Sequence, residues 1–123
     1  MADGSSFQPR GRRATALPKA EAFLMIHACS RFSSSRLSDA VHLSERAIQK
    51  LFQDAHAMTP RRWHFVYRLR CVRRDLLATP LGEVTPIALK WGFVELGRFA
   101  QQYREHFGER PSETVRRVRS AMS

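Results

Sequence analysis

The stretch PIALKWGFVELGRFAQQYREHFGERP, Pro86–Pro111, is organised by its punctuation. Proline is tolerated in the first turn of a helix, so a short helix is predicted over about Pro86–Trp91. Gly92–Phe93 then makes a turn, and a longer helix runs from about Glu95 to Phe107. Phe99, Tyr103 and Phe107 recur every four residues, which puts all three on one helix face. Gly108 supplies a stop and Pro111 starts a final basic helix.

The same pattern occurs 51 residues earlier, in LSDAVHLSERAIQKLFQDAHAMTP, Leu37–Pro60. Ser44 falls on Glu95, Ile48 on Phe99, Phe52 on Tyr103, Gln53 on Arg104, Ala57 on Gly108 and Pro60 on Pro111. The later copy carries one extra residue in its turn, Gly92–Phe93–Val94 against His42–Leu43. A short helix, a tight turn and a longer helix is the helix-turn-helix plan, in which the second helix packs one face inward and offers the other to a DNA major groove.

The rest of the chain extends this all-α reading to about seven helices. Residues 1–17 are rich in Gly, Ser and Arg and read as a flexible basic tail. Pro18 opens a first helix with Ala22, Phe23, Ile26 and Cys29 or Ser30 on one face. A short helix is predicted over Leu37–Val41. The next, capped by Ser44, buries Ile48, Leu51, Phe52 and Ala55. Thr59 and Pro60 start the longest helix, which ends near Ala78. It has one apolar line of Phe65, Leu69, Val72 and Leu76, and a second of Trp63, Val66 and Tyr67. Pro80, Gly82 and Pro86 break the chain after it. The predicted division is a tail at 1–17, a first helix-turn-helix subdomain at 18–58, a linker helix at 59–78 and a second subdomain at 79–119.

Composition narrows the function. The 123 residues carry 21 Lys+Arg against 11 Asp+Glu, a formal net charge of +10, and 18 of the 21 cations are arginine. Arginine's planar fork pairs with phosphate oxygens and guanine edges, so this excess on a small domain is the footprint of a nucleic-acid binder. A basic membrane-surface protein would share it. At 43% apolar residues the chain can fill a core, and no apolar run approaches the length of a membrane span. The N-terminus shows no secretion signal, which points to the cytoplasm. Cys29 and Cys71, 42 residues apart, read as two buried thiols rather than a disulfide or zinc site. The five histidines form no metal-ligand pair and no Gly-rich phosphate loop is present, so an enzyme, a cofactor and a metal are not expected.

In the first copy, the face opposite Ile48 and Phe52 carries Arg46, Gln49, Lys50 and Gln53. These long hydrogen-bonding side chains suit base edges, Arg or Lys to guanine and Gln to adenine. In the second copy the matching positions are Gly97, Ala100, Gln101 and Arg104, with Leu96 and Arg98 beside them, a set suited more to apolar and backbone contact. Each face taken alone also reads as an ordinary solvated surface, and Gly97 as close packing. The coincidence of two units in register on a chain of this charge favours DNA.

Taken together, Ile87–Ala88, Trp91–Gly92–Phe93, Gly97–Arg98–Phe99, Tyr103–Arg104, Phe107–Gly108 and Pro111 resemble the signature of the AraC/XylS family of bacterial transcription regulators. The first-copy stretch Leu43–Ser44–Glu45–Arg46, Gln49–Lys50–Leu51–Phe52 and Thr59–Pro60 fits as well, and the resemblance covers about Lys19–Val118. It implies two helix-turn-helix subdomains on a rigid helix, reading successive major-groove segments of double-stranded DNA about 34 Å apart. It puts base reading on Arg46, Gln49, Lys50, Leu96, Gly97, Ala100 and Gln101, and the core on Ile48, Phe52, Phe93, Phe99, Tyr103 and Phe107. Phosphate anchors are expected at Arg36, Arg61, Arg62, Arg98 and Arg104. The chain departs from the family pattern at His42, Glu95, Gly97 and Arg110, where Gly, Ser or Asp, Ser, and Ser or Thr are usual.

The expected function is sequence-specific, double-stranded DNA-binding transcription regulation by a monomer at the bacterial nucleoid, with RNA polymerase as a further partner. The alternative is a non-specific nucleic-acid-binding or polymerase-adaptor module. No membrane partner is expected. No effector-binding domain is evident, residues 1–17 being too short for one.

Overall fold

The computed structural model describes residues 3–79 and 82–122, with side chains from residue 14 onward. Those residues form seven helices and no strand: α1 (Asp3–Ile26), α2 (Ser34–Val41), α3 (Glu45–His56), α4 (Pro60–Ala78), α5 (Val84–Lys90), α6 (Leu96–Phe107) and α7 (Pro111–Met122). The chain divides into two compact units, Met1–Phe65 and Val66–Ser123, whose boundary falls inside α4. The architecture is all-α, with two helix-turn-helix subdomains joined through the long α4.

The 51-residue repeat is visible in the element bounds. Moving α3 by that interval lands on α6 end for end, and Pro60 of α4 lands on Pro111 of α7. Ser33 caps α2 by accepting from the Arg36 amide at 3.2 Å. Ser44 does the same for α3 from the Ala47 amide at 3.1 Å, and Thr59 for α4 from the Arg62 amide at 3.1 Å. Each removes an orphan donor from a helix start.

In the first unit Ala20, Leu24, Leu37, Val41, Ile48 and Phe52 form the core, with Leu17, Phe23, Phe32, Leu43 and Trp63 packed around it. In the second unit Leu69, Val72, Leu76, Ala88, Phe93, Phe99, Tyr103 and Val115 are buried. Phe93 meets Phe99 at 4.8 Å between ring centroids, and Tyr103 meets the half-buried Phe107 at 4.7 Å.

Several local expectations are corrected. The first helix begins at Asp3 rather than at Pro18, and its inward line is Ala16, Ala20 and Leu24, with Ala28 buried just past its end. Small residues there let α1 lie close to its neighbours, and Ile26 is turned out at 77% exposure. Ala55 is exposed, so the inward stripe of α3 is only Ile48 and Phe52, with Leu51 half-buried. Cys71 is buried but Cys29 is exposed. Ser33 starts α2 ahead of Leu37, and α5 starts at Val84 with Pro86 inside its first turn. Pro80, expected to break the chain, lies outside the described residues, as do Met1 and Ala2 of the expected tail.

Candidate nucleic-acid interface

The α3 helix is strongly two-sided. Ile48 and Phe52 point into the first unit's core, while Arg46, Gln49, Lys50 and Gln53 are all exposed. Two restraints order this surface. Glu45, in the first turn of α3, accepts a hydrogen bond from the Ser34 hydroxyl at 2.7 Å, which ties the start of α3 to the start of α2. Lys50 pairs with Asp54 one turn on, at 3.5 Å with both side chains 63% exposed. Such a solvated pair is worth well under ~1 kcal/mol, so Lys50 is readily recruited by another acceptor.

The starts of three helices border one pocket of about 230 Å³, represented by Ser34, Glu45 and Pro60, with Gln49 and Arg61 also lining it. Helix starts carry partial positive charge, so the edge of the α3 surface is electropositive beyond its side chains alone. Arg36 is exposed on α2. Arg61 lies over the Phe32 ring at 4.8 Å and Arg62 over Phe65 at 5.4 Å, and both residues are exposed.

The α6 surface is thinner. Gly97, Arg98, Gln101 and Arg104 are exposed, whereas Leu96 and Ala100 are half-buried and contribute edges rather than whole side chains. Gln101 donates to Glu105 at 3.2 Å. Glu95 makes no side-chain capping bond. A Cβ added at Gly97 meets nothing within 4 Å, so close packing does not account for this glycine. Within each unit, then, the residues expected to read bases share a single helix, and the first unit presents the longer polar set.

A polar cluster in the second unit is absent from the sequence reading. Thr114 donates its hydroxyl to Glu109 at 2.5 Å and accepts from the Tyr103 hydroxyl at 2.8 Å. Arg73 reaches Tyr103 at 3.3 Å and Glu109 at 3.2 Å, and Arg117 donates to Glu109 at 2.8 Å. The bonds from Arg117 and Thr114 hold the Glu109 carboxyl down at about 2. Asp75 is a second anchor, accepting from the Trp91 indole at 2.8 Å and from Lys90 at 3.3 Å. Burial opposes its ionisation, but the Trp91 and Lys90 bonds outweigh that and lower its pKa. In the first unit, His56 meets Glu21 at 2.5 Å, joining α3 to α1. These groups brace the helices behind the α3 and α6 surfaces. The repeat was the available signal for the Thr114 cluster, since Trp63 and Thr114 are 51 residues apart.

Among the described residues no helix is long and apolar enough to cross a membrane, and no group of three His, Cys, Asp or Glu side chains is placed to hold a metal ion.

Comparison with known proteins gives the same picture. The family described as "Helix-turn-helix domain" matches residues 37–117. The chain is 40% identical over 98 residues to the "Probable thc operon regulatory protein" of Rhodococcus erythropolis, covering 78% of this chain and 30% of that protein. It is 36% identical over 85 residues to "XylDLEGF operon transcriptional activator 2" of Pseudomonas putida, covering 68% of this chain and 54% of the relative. The chain thus spans only part of the length of these two relatives. The crystal structure of a probable AraC family transcriptional regulator from Rhodopseudomonas palustris CGA009 is 34% identical, with a TM-score of 0.75 over 85% of this chain and 98% of that one. With one family match running through both helix-turn-helix units and that chain matched nearly end to end, this protein belongs to the AraC/XylS family of transcription regulators.

Proposed function

We propose that the chain regulates transcription by binding double-stranded DNA in a sequence-specific manner, with α3 and α6 as the two reading helices. The observation that carries this is the α3 surface: four long hydrogen-bonding side chains, Arg46, Gln49, Lys50 and Gln53, exposed on a helix whose other face is locked into a core. Arg46 and Lys50 supply donors for guanine and Gln49 for adenine. On α6, Leu96, Gly97 and Ala100 supply short edges that let the helix backbone come close to the groove, and Gln101 adds the longer polar contact. Arg36, Arg61, Arg62, Arg98 and Arg104 anchor phosphates. The subdomains are taken as 18–58 and 79–119, with 59–78 as the connecting helix, and the expected tail gives way to the start of α1, whose Ala16 and Leu17 already belong with the first core. The chain acts as a monomer on nucleoid DNA and meets RNA polymerase there. No catalytic role is assigned to any residue.

Selection of binding sites from a random duplex pool with the 123-residue chain tests this. An enriched motif is expected, and a pool without one overturns specific reading in favour of a non-specific coat. Lys50→Ala is expected to relax choice at one base position and cost about 1–3 kcal/mol of binding, whereas Arg61→Ala weakens all sequences alike. With roughly 6–10 phosphates contacted, log K should fall against log salt with a slope of about −5 to −9.

A further inference from the structure

One surface of the second unit carries none of the base-reading or phosphate-anchoring residues assigned above. Arg70, Arg73, Arg74, Leu77 and Ala78 of α4, with Phe107 of α6, line an open groove of about 450 Å³. Positions 70, 73 or 74, and 77 recur at helical spacing, so they form one stripe about two turns, or ~10 Å, long. The floor is apolar: Leu77 is 42% exposed, and Phe107 is the half-buried end of the Phe99–Tyr103 stripe. The walls are cationic and partly fixed. Arg73 lies over the Phe107 ring at 4.9 Å while bonded to Tyr103 and Glu109. Arg70 is exposed and holds no ion pair among the described residues. Arg74 reaches Asp75 at 3.4 Å and lies over Trp91 at 5.6 Å.

Phosphate alone does not account for this combination, because a DNA backbone leaves Leu77 and Phe107 uncovered. A second copy of the chain fits poorly as well, since its net charge of +10 opposes another cationic surface. We propose that the groove docks an acidic amphipathic helix from a partner protein. Carboxylates of that helix pair with Arg70 and Arg74, and its apolar side chains cover Leu77, Ala78 and Phe107. Helix-in-groove recognition of this kind takes its specificity from apolar anchors and its orientation from the charged rim.

The test uses fluorescence anisotropy of a fluorescein-labelled synthetic peptide of about 14 residues, long enough to overlap the stripe, with Glu and Leu at helical spacing. The control has the same composition with the spacing scrambled. The amphipathic peptide is expected to bind the full chain at least about tenfold more tightly than the control. Leu77→Ser and Arg70→Glu, both at exposed positions and both checked for unchanged helix content by circular dichroism, should each weaken it about fivefold or more. Binding should persist when the chain is loaded with its selected duplex. Equal binding of the two peptides would reduce the effect to net charge and overturn the proposal. So would indifference to both substitutions, or displacement of the peptide by duplex DNA, which would make the groove part of a nucleic-acid surface.

Discussion

Trp63 and Thr114 stand at the same point of the repeat, one helix beyond the reading helix of each unit, yet they solve the same packing problem with different chemistry. In the first unit the Trp63 ring meets Phe52 edge-on at 5.8 Å between centroids, and His56 also at 5.8 Å. In the second, Tyr103 takes the place of Phe52, and its hydroxyl donates to Thr114 at 2.8 Å. Thr114 passes its single proton to the Glu109 carboxylate, which can only accept, so the direction of the relay is fixed. Tyr103 and Thr114 are both fully buried, and a buried hydroxyl is tolerated only when partnered. The difference shows that the helix-turn-helix frame sets where the brace must be and leaves its chemistry open. An apolar stack fails gradually as contacts are trimmed. A polar relay fails when any one member is lost.

The comparison breaks most clearly by deletion. Trp63→Ala removes a large ring from the edge of the first core and is expected to cost about 3 kcal/mol or more, read as a fall in the urea midpoint. Thr114→Val keeps the volume but strands the Tyr103 proton beside a valine methyl, at about 2 kcal/mol. Adding Tyr103→Phe to Thr114→Val should then cost less than the two single changes summed, because the second substitution removes the group that the first left unsatisfied. Strict additivity would show that the hydroxyl relay contributes nothing as a unit.

Acid separates the two braces without mutation. Glu109 sits at about 2 in the folded chain, below the ordinary 4.5 of a glutamate in an unfolded one, because Arg117 and Thr114 bond its charged form. As the pH falls, the unfolded chain takes up this proton first. The stability Glu109 contributes is therefore complete above about pH 4.5 and is lost progressively as the pH falls toward 2. The carboxylate is 22% exposed, and after allowance for solvent screening the effect is about 2 kcal/mol. Unfolding free energies measured at pH 6 and pH 3 should differ by less in Glu109→Gln than in the parent chain. An unchanged difference would show that other carboxylates carry the acid sensitivity.

The repeat made much of this legible before any coordinates. Ser44, Thr59, Gly108 and Pro111 are local signals whose chemistry acts within a turn of the chain, and the bounds of α3, α4, α6 and α7 follow them. The exposure of Arg46, Gln49, Lys50 and Gln53 was legible for the same reason: with Ile48 and Phe52 inward, helical periodicity leaves them outside. What escaped depended on neighbours distant in sequence. The inward line of α1 is made mostly of alanines, which carry little periodic signal, so Ile26 looked like part of its core face beside Phe23, which does pack against the core. Arg73, Glu109 and Thr114 are each ordinary surface types; Glu109 and Thr114 are local neighbours, but Arg73 reaches Glu109 from 36 positions away in the chain. Ala100 belongs to both classes, since its register was readable but its half-burial was not.

Caps offer a gentler probe of the same asymmetry. Ser44 bonds the Ala47 amide, whereas Glu95, its counterpart, makes no side-chain capping bond. Ser44→Ala should lower stability by about 1 kcal/mol, and Glu95→Ser should raise it by somewhat less. Thermal melts of the two variants should therefore move in opposite directions. Movement in the same direction would mean that the start of α6 is held by contacts other than its cap.

The smallest effect concerns the ends of the same helices and runs the other way, against the first unit. Gly108 closes α6 at φ 79, while Ala57 closes α3 at φ 57, and His42 ends α2 at φ 58. This left-handed region costs a residue with a Cβ about 1 kcal/mol, a penalty that glycine escapes. Part of that gain is offset because glycine also enlarges the unfolded ensemble. Ala57→Gly and His42→Gly should therefore each stabilise the chain by about 0.5 kcal/mol, and Gly108→Ala should destabilise it by a similar amount. Urea midpoints of the three variants measure this, and a gain at only one of Ala57 and His42 would assign it to side-chain contacts rather than to backbone conformation.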